Sequence, residues 1–202
     1  MNDNLLSSVE KYYTNKILEH GPIPRGADWN GQESQFLRFE ILSELIEKNN
    51  PSILDYGCGY GAFCGFLKQK KIKNNFTGFD ISKEMIKECK KKYKNEKWYS
   101  TLSNNNKYDY VFASGLFNVM LDEDEERWKE YIFNSIIEFN NLSEQGFAFN
   151  LLTTYSDPEK SKDYLFYAEP EEIFKFCKNN ISNKVTLNHS YPLYEFTIMV
   201  KK

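Results

Sequence analysis

The stretch Ile53-Leu54-Asp55-Tyr56-Gly57-Cys58-Gly59-Tyr60-Gly61-Ala62-Phe63 decides how the rest of the chain is read. Pro51 disfavours helix just before it, and Ile53 and Leu54 read as a short buried strand. Glycines follow at every second position. They let a loop adopt positive φ and let a ligand approach the backbone without meeting a Cβ. The helix that should begin at Ala62 would point free N–H groups and its positive dipole end at the same place. Downstream, Phe76-Thr77-Gly78-Phe79-Asp80 is a second short apolar run that ends in an acid. Asp80 falls about 20 residues past the glycines, where a nucleotide-binding βαβ unit keeps the carboxylate that grips a ribose diol.

Dinucleotide sites use the spacing G-x-G-x-x-G, whereas this loop is G-x-G-x-G with Asp55 two residues ahead of it. A carboxylate there would repel a pyrophosphate and would suit a cationic amine. S-adenosylmethionine offers such an amine, a ribose diol and no phosphate. On Asp55-x-Gly57-x-Gly59-x-Gly61 and Asp80 the chain resembles the class I S-adenosylmethionine-dependent methyltransferases, from about Ser52 to the C-terminus. The resemblance implies an α/β fold: a Rossmann-like seven-stranded, mostly parallel sheet with an antiparallel C-terminal strand, helices on both faces and an N-terminal helical cap. It divides the chain into a cap or lid segment, 1–50, and a single methyltransferase unit, 51–202. It also implies that Cys58 in the loop, and Ile81 and Met85 after the ribose acid, line the cofactor site. Met85 has the alternative of being simple core.

Composition narrows the setting. The 202 residues suit one core; 41% are hydrophobic, 27% are charged, and the net charge is -3. That balance gives no general attraction to nucleic acid or to an anionic membrane. No apolar run approaches the ~20 residues that cross a bilayer, and no basic patch with a short apolar run opens the chain. Cys58, Cys64, Cys89 and Cys177 form no C-x-x-C pair and read as free thiols of a cytoplasmic protein. Two histidines and no clustered ligands leave no expected metal site.

Ahead of the loop, Leu5 to Leu18 has helical spacing and Gly21 is a stop. His20 to Gly31 is a loop carrying Trp29, either a lid over a ligand or an anchor on the core. Phe36 to Lys48 reads as a helix with Phe36, Leu37, Leu42, Leu45 and Ile46 buried. In its first turn Arg38 either meets the cofactor carboxylate, as the resemblance implies, or forms a surface ion pair. Trp29 or Gln35 would close over the same ligand. Beyond Asp80, Ser82 fits an N-cap for a helix to about Tyr93. The lysine-rich run from Lys83 to Lys97 reads as a solvated face.

Lys97 to Thr101 is the third strand, and Thr101 and Leu102 lie where the family contacts adenine. Tyr108 to Ser114 is the fourth, and Gly115 to Met120 the loop beneath the transferring methyl. The N/D-P-P-Y/F tetrad of amide and adenine N-methyltransferases is absent here; the chain reads Ser114-Gly115-Leu116-Phe117. Ser114 is then a cofactor candidate, and Phe117 and Asn118 pocket candidates. The acidic run Asp122 to Glu126 starts a helix, Gly146 is a stop, and Phe147 to Leu152 is the fifth strand. A long loop after it brings Tyr155, Tyr164 and Tyr167 toward the ligand edge, with Tyr191 from the last link as a further pocket candidate. Pro170 opens the last helix.

Val185 to His189 and Tyr194 to Val200 are strands joined so briefly that they must be antiparallel. His189 would end the sixth strand on the cofactor edge. It is the candidate base for a hydroxyl acceptor, unless it bonds to the hairpin backbone. The expected activity is methyl transfer from S-adenosylmethionine to a small polar metabolite, with O-methylation of a sugar, polysaccharide precursor or organic acid as one form. An NAD(P)-dependent oxidoreductase and a non-catalytic cofactor-binding module are the alternatives. Oligomeric state is left open.

Overall fold

The computed structural model describes residues 5–103 and 106–202. The remaining residues, 1–4 of the expected cap and 104–105 after the third strand, lie outside that description. Seven strands form one sheet: β1 (Ser52–Tyr56), β2 (Asn75–Phe79), β3 (Lys97–Tyr99), β4 (Tyr108–Ala113), β5 (Ser143–Leu152), β6 (Lys184–Asn188) and β7 (Glu195–Lys201). The spatial order is β3-β2-β1-β4-β5-β7-β6. The pairs from β3 through β5 are parallel, and β7 runs antiparallel to both β5 and β6. Chain order reverses between β1 and β4, which opens a crevice at their carboxyl ends.

Six helices accompany the sheet: α1 (Leu5–His20), α2 (Gln32–Ser43), α3 (Ala62–Gln69), α4 (Lys83–Lys92), α5 (Glu125–Leu142) and α6 (Pro170–Asn180). Strand residues alternate between two cores. Leu54, Val111, Phe147 and Phe149 pack with Trp128, Ile132 and Phe139 of α5. Ile53, Phe112, Ala148 and Met199 pack with Phe39 of α2 and Phe63 and Phe66 of α3. Successive side chains of a strand point to opposite faces, and a sheet with both faces covered reads as near-continuous apolar runs.

Local chemistry sets the helix starts. The Ser82 hydroxyl accepts the Met85 N–H and caps α4. Asp124 accepts the Arg127 N–H and caps α5, with Glu125 and Glu126 in the first turn. Two sequence expectations need correction. The second helix begins at Gln32, four residues before Phe36, because its first turn is polar, and it ends at Ser43 rather than Lys48, so Arg38 lies past its first turn. Its buried face is Gln35, Arg38, Phe39, Ile41 and Leu42, while Phe36 and Leu37 are half-buried. Gly146 does not stop a helix: α5 ends at Leu142 and Gly146 lies inside β5. A Cβ at Gly146 would stand 2.2 Å from the Val200 carbonyl oxygen of β7, so strand pairing is what requires glycine there.

At the amino end of the sheet, Asp109 ties β4 to β1. Its carboxylate accepts the Ser52 N–H at 2.8 Å and the Ser52 hydroxyl at 2.9 Å, and it pairs with Lys48 at 2.5 Å. Among the described residues no helix is long and apolar enough to cross a membrane.

Candidate active site

A cleft opens where the sheet order reverses. It spans about 1000 Å³ when the part open to solvent is counted. Its floor comes from the carboxyl ends of β1, β2 and β4. Its roof comes from α1 and the 21–31 segment, through Leu6, Val9, Tyr13, Ala27 and Trp29. Thr14 and Ser82 are hydrogen-bonded at 2.8 Å, so α1 is tied to the start of α4. Asp28 accepts the Tyr12 hydroxyl at 2.7 Å and pairs with Lys16 at 2.8 Å, which ties the 21–31 segment back to α1.

Two carboxylates face this cleft. Asp80 accepts the Gly59 N–H at 2.8 Å through Oδ2 and the Ser82 N–H at 2.8 Å through Oδ1. Burial pushes its carboxyl up to about 6, against the lowering effect of those two bonds. Asp55, in contrast, is buried and receives no hydrogen bond from the described residues, although it lines the cleft. Burial first, and then the Asp80 charge, push its carboxyl up to about 8. An anion left without a partner in a dry site is costly, so the site favours a cationic ligand group against Asp55.

Gly59 adopts a φ of +53°, and a Cβ there would meet nothing closer than Ala27 at 3.9 Å. The space above it belongs to the cleft. The Ser114 hydroxyl oxygen also lies buried beside the cleft without a hydrogen-bond partner. A carboxylate and a hydroxyl without partners among the described residues, beside a bare backbone cradle, suit a nucleoside that carries an ammonium group.

The structure brings together Asp55, Gly57, Cys58, Gly59, Asp80, Ile81, Met85, Ser114 and Trp29 around the cleft, and Gln35 joins them. Other candidates lie elsewhere. Gly61 is the N-cap of α3, facing Trp98 and Cys89 rather than the cleft. Arg38 is buried against Glu195, with Nε 2.7 Å from Oε2, and so is not free to meet a ligand carboxylate. Thr101 is exposed and Leu102 packs on the core. Both follow β3, two strands from β1, which is about 10 Å at ordinary strand spacing.

The acceptor-side candidates are corrected more heavily. Phe117 is fully buried among Tyr131, Phe139 and Phe149, and its carbonyl takes the Trp128 indole N–H. Asn118 is buried beside Gly115, off the cleft wall, and its carbonyl accepts the Phe166 N–H. Tyr155 is exposed and donates to Glu171 at 2.7 Å. The Tyr164 carbonyl accepts the Met120 and Leu121 N–H groups, and its ring lies near Tyr12. The Tyr167 hydroxyl accepts the Lys162 N–H. Tyr191 bonds to Glu195 and Thr197. None of these lines the cleft.

His189 is exposed, between the rings of Tyr155 and Phe196. It follows β6, three strand positions from β4, or about 14 Å. β6 runs parallel to β1 through β5, so His189 lies on the carboxyl edge of the sheet, but β6 is the outermost strand and His189 is not among the residues that line the cleft.

Sequence reasoning missed Leu6, Val9, Tyr13, Tyr60, Leu116 and Tyr131 as cleft residues. Tyr60 was inside the decisive stretch; its hydroxyl donates to Gln35 Oε1 at 2.8 Å and so links the glycine loop to α2. Its place between two glycines was the available signal.

Comparison with known proteins agrees with this geometry. A family model described as "Methyltransferase domain" matches residues 53–134. "Putative methyltransferase Rv1506c" of Mycobacterium tuberculosis is 40% identical over 154 residues, covering 75% of this chain and 93% of that protein. Among solved structures, magnesium protoporphyrin IX methyltransferase from Synechocystis PCC 6803 with bound SAH matches with TM-score 0.70 at 13% identity. That match covers 97% of this chain and 98% of the other. Human N-acetylserotonin methyltransferase in complex with SAM matches with TM-score 0.66 at 10% identity, over 100% of this chain and 60% of the other. The structural likenesses show the fold, and the Mycobacterium relative extends over nearly its whole length. The chain belongs to the class I S-adenosylmethionine-dependent methyltransferases.

Proposed function

We propose that this protein transfers the methyl group of S-adenosylmethionine to a small acceptor enclosed beneath α1, beside Trp29 and Leu116. The observation that carries the reading is the Asp55 carboxylate, buried in the cleft with no hydrogen bond from the described residues. Once bound, S-adenosylmethionine supplies a sulfonium-activated methyl and leaves as its demethylated product.

The chain's own residues do the rest. Asp55 holds the ammonium group. Asp80 fixes the loop through Gly59 and has carboxylate lone pairs left for the ribose hydroxyls. The Ser114 hydroxyl offers one further hydrogen bond at the β4 tip. Leu6, Val9, Trp29 and Leu116 make an apolar wall that keeps water from the reacting atoms. Holding two reactants in line is itself worth several orders of magnitude in rate.

No histidine lines the cleft. Tyr13, Tyr56, Tyr60 and Tyr131 do, but burial raises their hydroxyl pKa values above the ordinary range, and Asp55 and Asp80 are taken up by the cofactor, so the cleft leaves no free base near neutral pH. The cleft therefore favours an acceptor that is already nucleophilic, such as a carboxylate or an amine, carried on an apolar body. A neutral sugar hydroxyl suits it less well. Calorimetric titration with S-adenosylmethionine, its demethylated product and NAD tests the cofactor: binding of the first two and not of NAD is expected. Binding of NAD alone would overturn the reading. Mass detection of methylated product across a panel of small carboxylates and amines tests the transfer and separates it from a non-catalytic binding module.

A further inference from the structure

We propose that Trp29 is the fixed wall closing the acceptor end of the cleft and that Glu195, acting through Arg38, is the residue that positions it. This rests on the functional reading above for what the cleft holds. Trp29 lines the cofactor cleft on one side. On the other it lines a surface hollow with Lys16, His20, Arg25 and Asn30. The indole is therefore the partition between the two spaces, and its placement decides whether they are one.

Two contacts hold it. The Arg38 guanidinium lies over the ring, with Cζ 4.3 Å from the centroid. The far edge of the ring rests on Gly115, where a Cβ would stand 2.4 Å from Cη2. The Gly115 N–H in turn donates to Asn150 Oδ1 at 2.9 Å. Arg38 is itself fixed: Nε donates to Glu195 at 2.7 Å and Nη1 donates to the Ser34 carbonyl at 2.9 Å. Glu195 is fully buried at the start of β7 and also receives the Tyr191 hydroxyl at 3.3 Å.

These contacts form a closed circuit. It runs from β7 through Arg38 to Trp29, then through Gly115 and Asn150 back to β5, the neighbour of β7. A planar guanidinium can stack on an aromatic face while its edge serves a carboxylate, which a lysine cannot do. Breaking a buried ion pair by removing one partner leaves the other charge uncompensated, so Arg38 would leave its place if Glu195 lost its charge. The indole would then lose the cation that fixes it, and the partition would open.

The test uses full-length protein labelled with 5-fluorotryptophan, whose signals come from Trp29, Trp98 and Trp128. Trp29→Phe assigns the first. In Glu195→Gln the Trp29 signal should move and broaden while those of Trp98 and Trp128 stay. Because an open partition speeds entry as well as exit, the demethylated cofactor should leave about tenfold faster in stopped flow and enter at least about threefold faster, keeping its affinity within about threefold of wild type, as it should in Trp29→Ala. An unmoved Trp29 signal in folded Glu195→Gln overturns the positioning role, and an unchanged dissociation rate in Trp29→Ala overturns the wall. If Glu195→Gln does not fold, Arg38→Lys keeps a cation opposite Glu195 but removes the stacking plane, and the same signal decides. If the wild type fails to bind the nucleoside, the functional reading falls, while the fluorine signal still decides the link between Glu195 and Trp29.

Discussion

Asp80 and Gly59 are joined by a 2.8 Å hydrogen bond from the Gly59 N–H to Oδ2, so the acid that ends β2 shapes the loop that ends β1. A carboxylate that holds the loop and faces the ligand has two tasks, and substitution removes both. Asp80→Ala should weaken binding of the demethylated cofactor roughly 100-fold, the equivalent of losing one or two charged hydrogen bonds. Asp80→Asn, which retains one carbonyl acceptor, should lose less. Calorimetry of the three proteins checks the order. Equal affinity in wild type and Asp80→Ala would remove this residue from the site.

Asp55 should make cofactor binding release a proton. Its native pKa is raised from 3.8 to about 8, so at pH 7 most of the free protein carries the proton, and a bound ammonium favours the carboxylate. The release should be the greater part of one proton at neutral pH and fall away as pH rises past about 8. Heats of binding in buffers of different ionisation enthalpy measure it. Without ligand, the raised pKa means that the folded state binds the extra proton. Its contribution to stability is then fully present below pH 3.8 and lost as pH rises through about 8. Asp55→Asn should abolish the proton release, and persistence of the same release in that variant would assign it elsewhere.

Asp109 should matter for folding and not for binding. Burial opposes its charge, but the bonds from Lys48 and Ser52 outweigh burial and hold the carboxyl below its ordinary value. Stability from this group is therefore present above the unfolded value of 3.8 and lost as pH falls through the lower native one. Asp109→Ala, which leaves the Ser52 donors unpaired, should cost roughly 2–3 kcal/mol at pH 7 in urea unfolding. The gap from wild type should shrink in acid, and cofactor affinity should not change.

His189→Ala should leave methyl transfer within about twofold of wild type for any acceptor the enzyme uses, since only groups near the reacting atoms supply acid–base catalysis. A loss of about 100-fold with unchanged cofactor binding would restore the histidine to the mechanism.

The cofactor half of the site was legible because its signal is local. Asp55, the glycines and Asp80 lie within 26 residues, and each owes its role to its position at a strand tip. The reversed last strand was equally legible from the short link between β6 and β7. The acceptor half was not. Leu6, Val9 and Tyr13 recur at helical spacing, and that pattern is the same whether a helix covers a core or a cleft. Arg38 and Glu195 meet across 157 residues of sequence, and nothing near either one names the other. The short hairpin link puts His189 on the carboxyl edge but carries no information on how many strands separate β6 from the switch between β1 and β4.

The clasp formed by Asp109, Ser52 and Lys48 lies on the rim of the sheet opposite the cleft. Durability and reactivity are thus entrusted to different shores of the same seven strands. An engineer could reinforce one shore without disturbing the other. By the same token, drift in acceptor choice can proceed above while the foundation below is left alone.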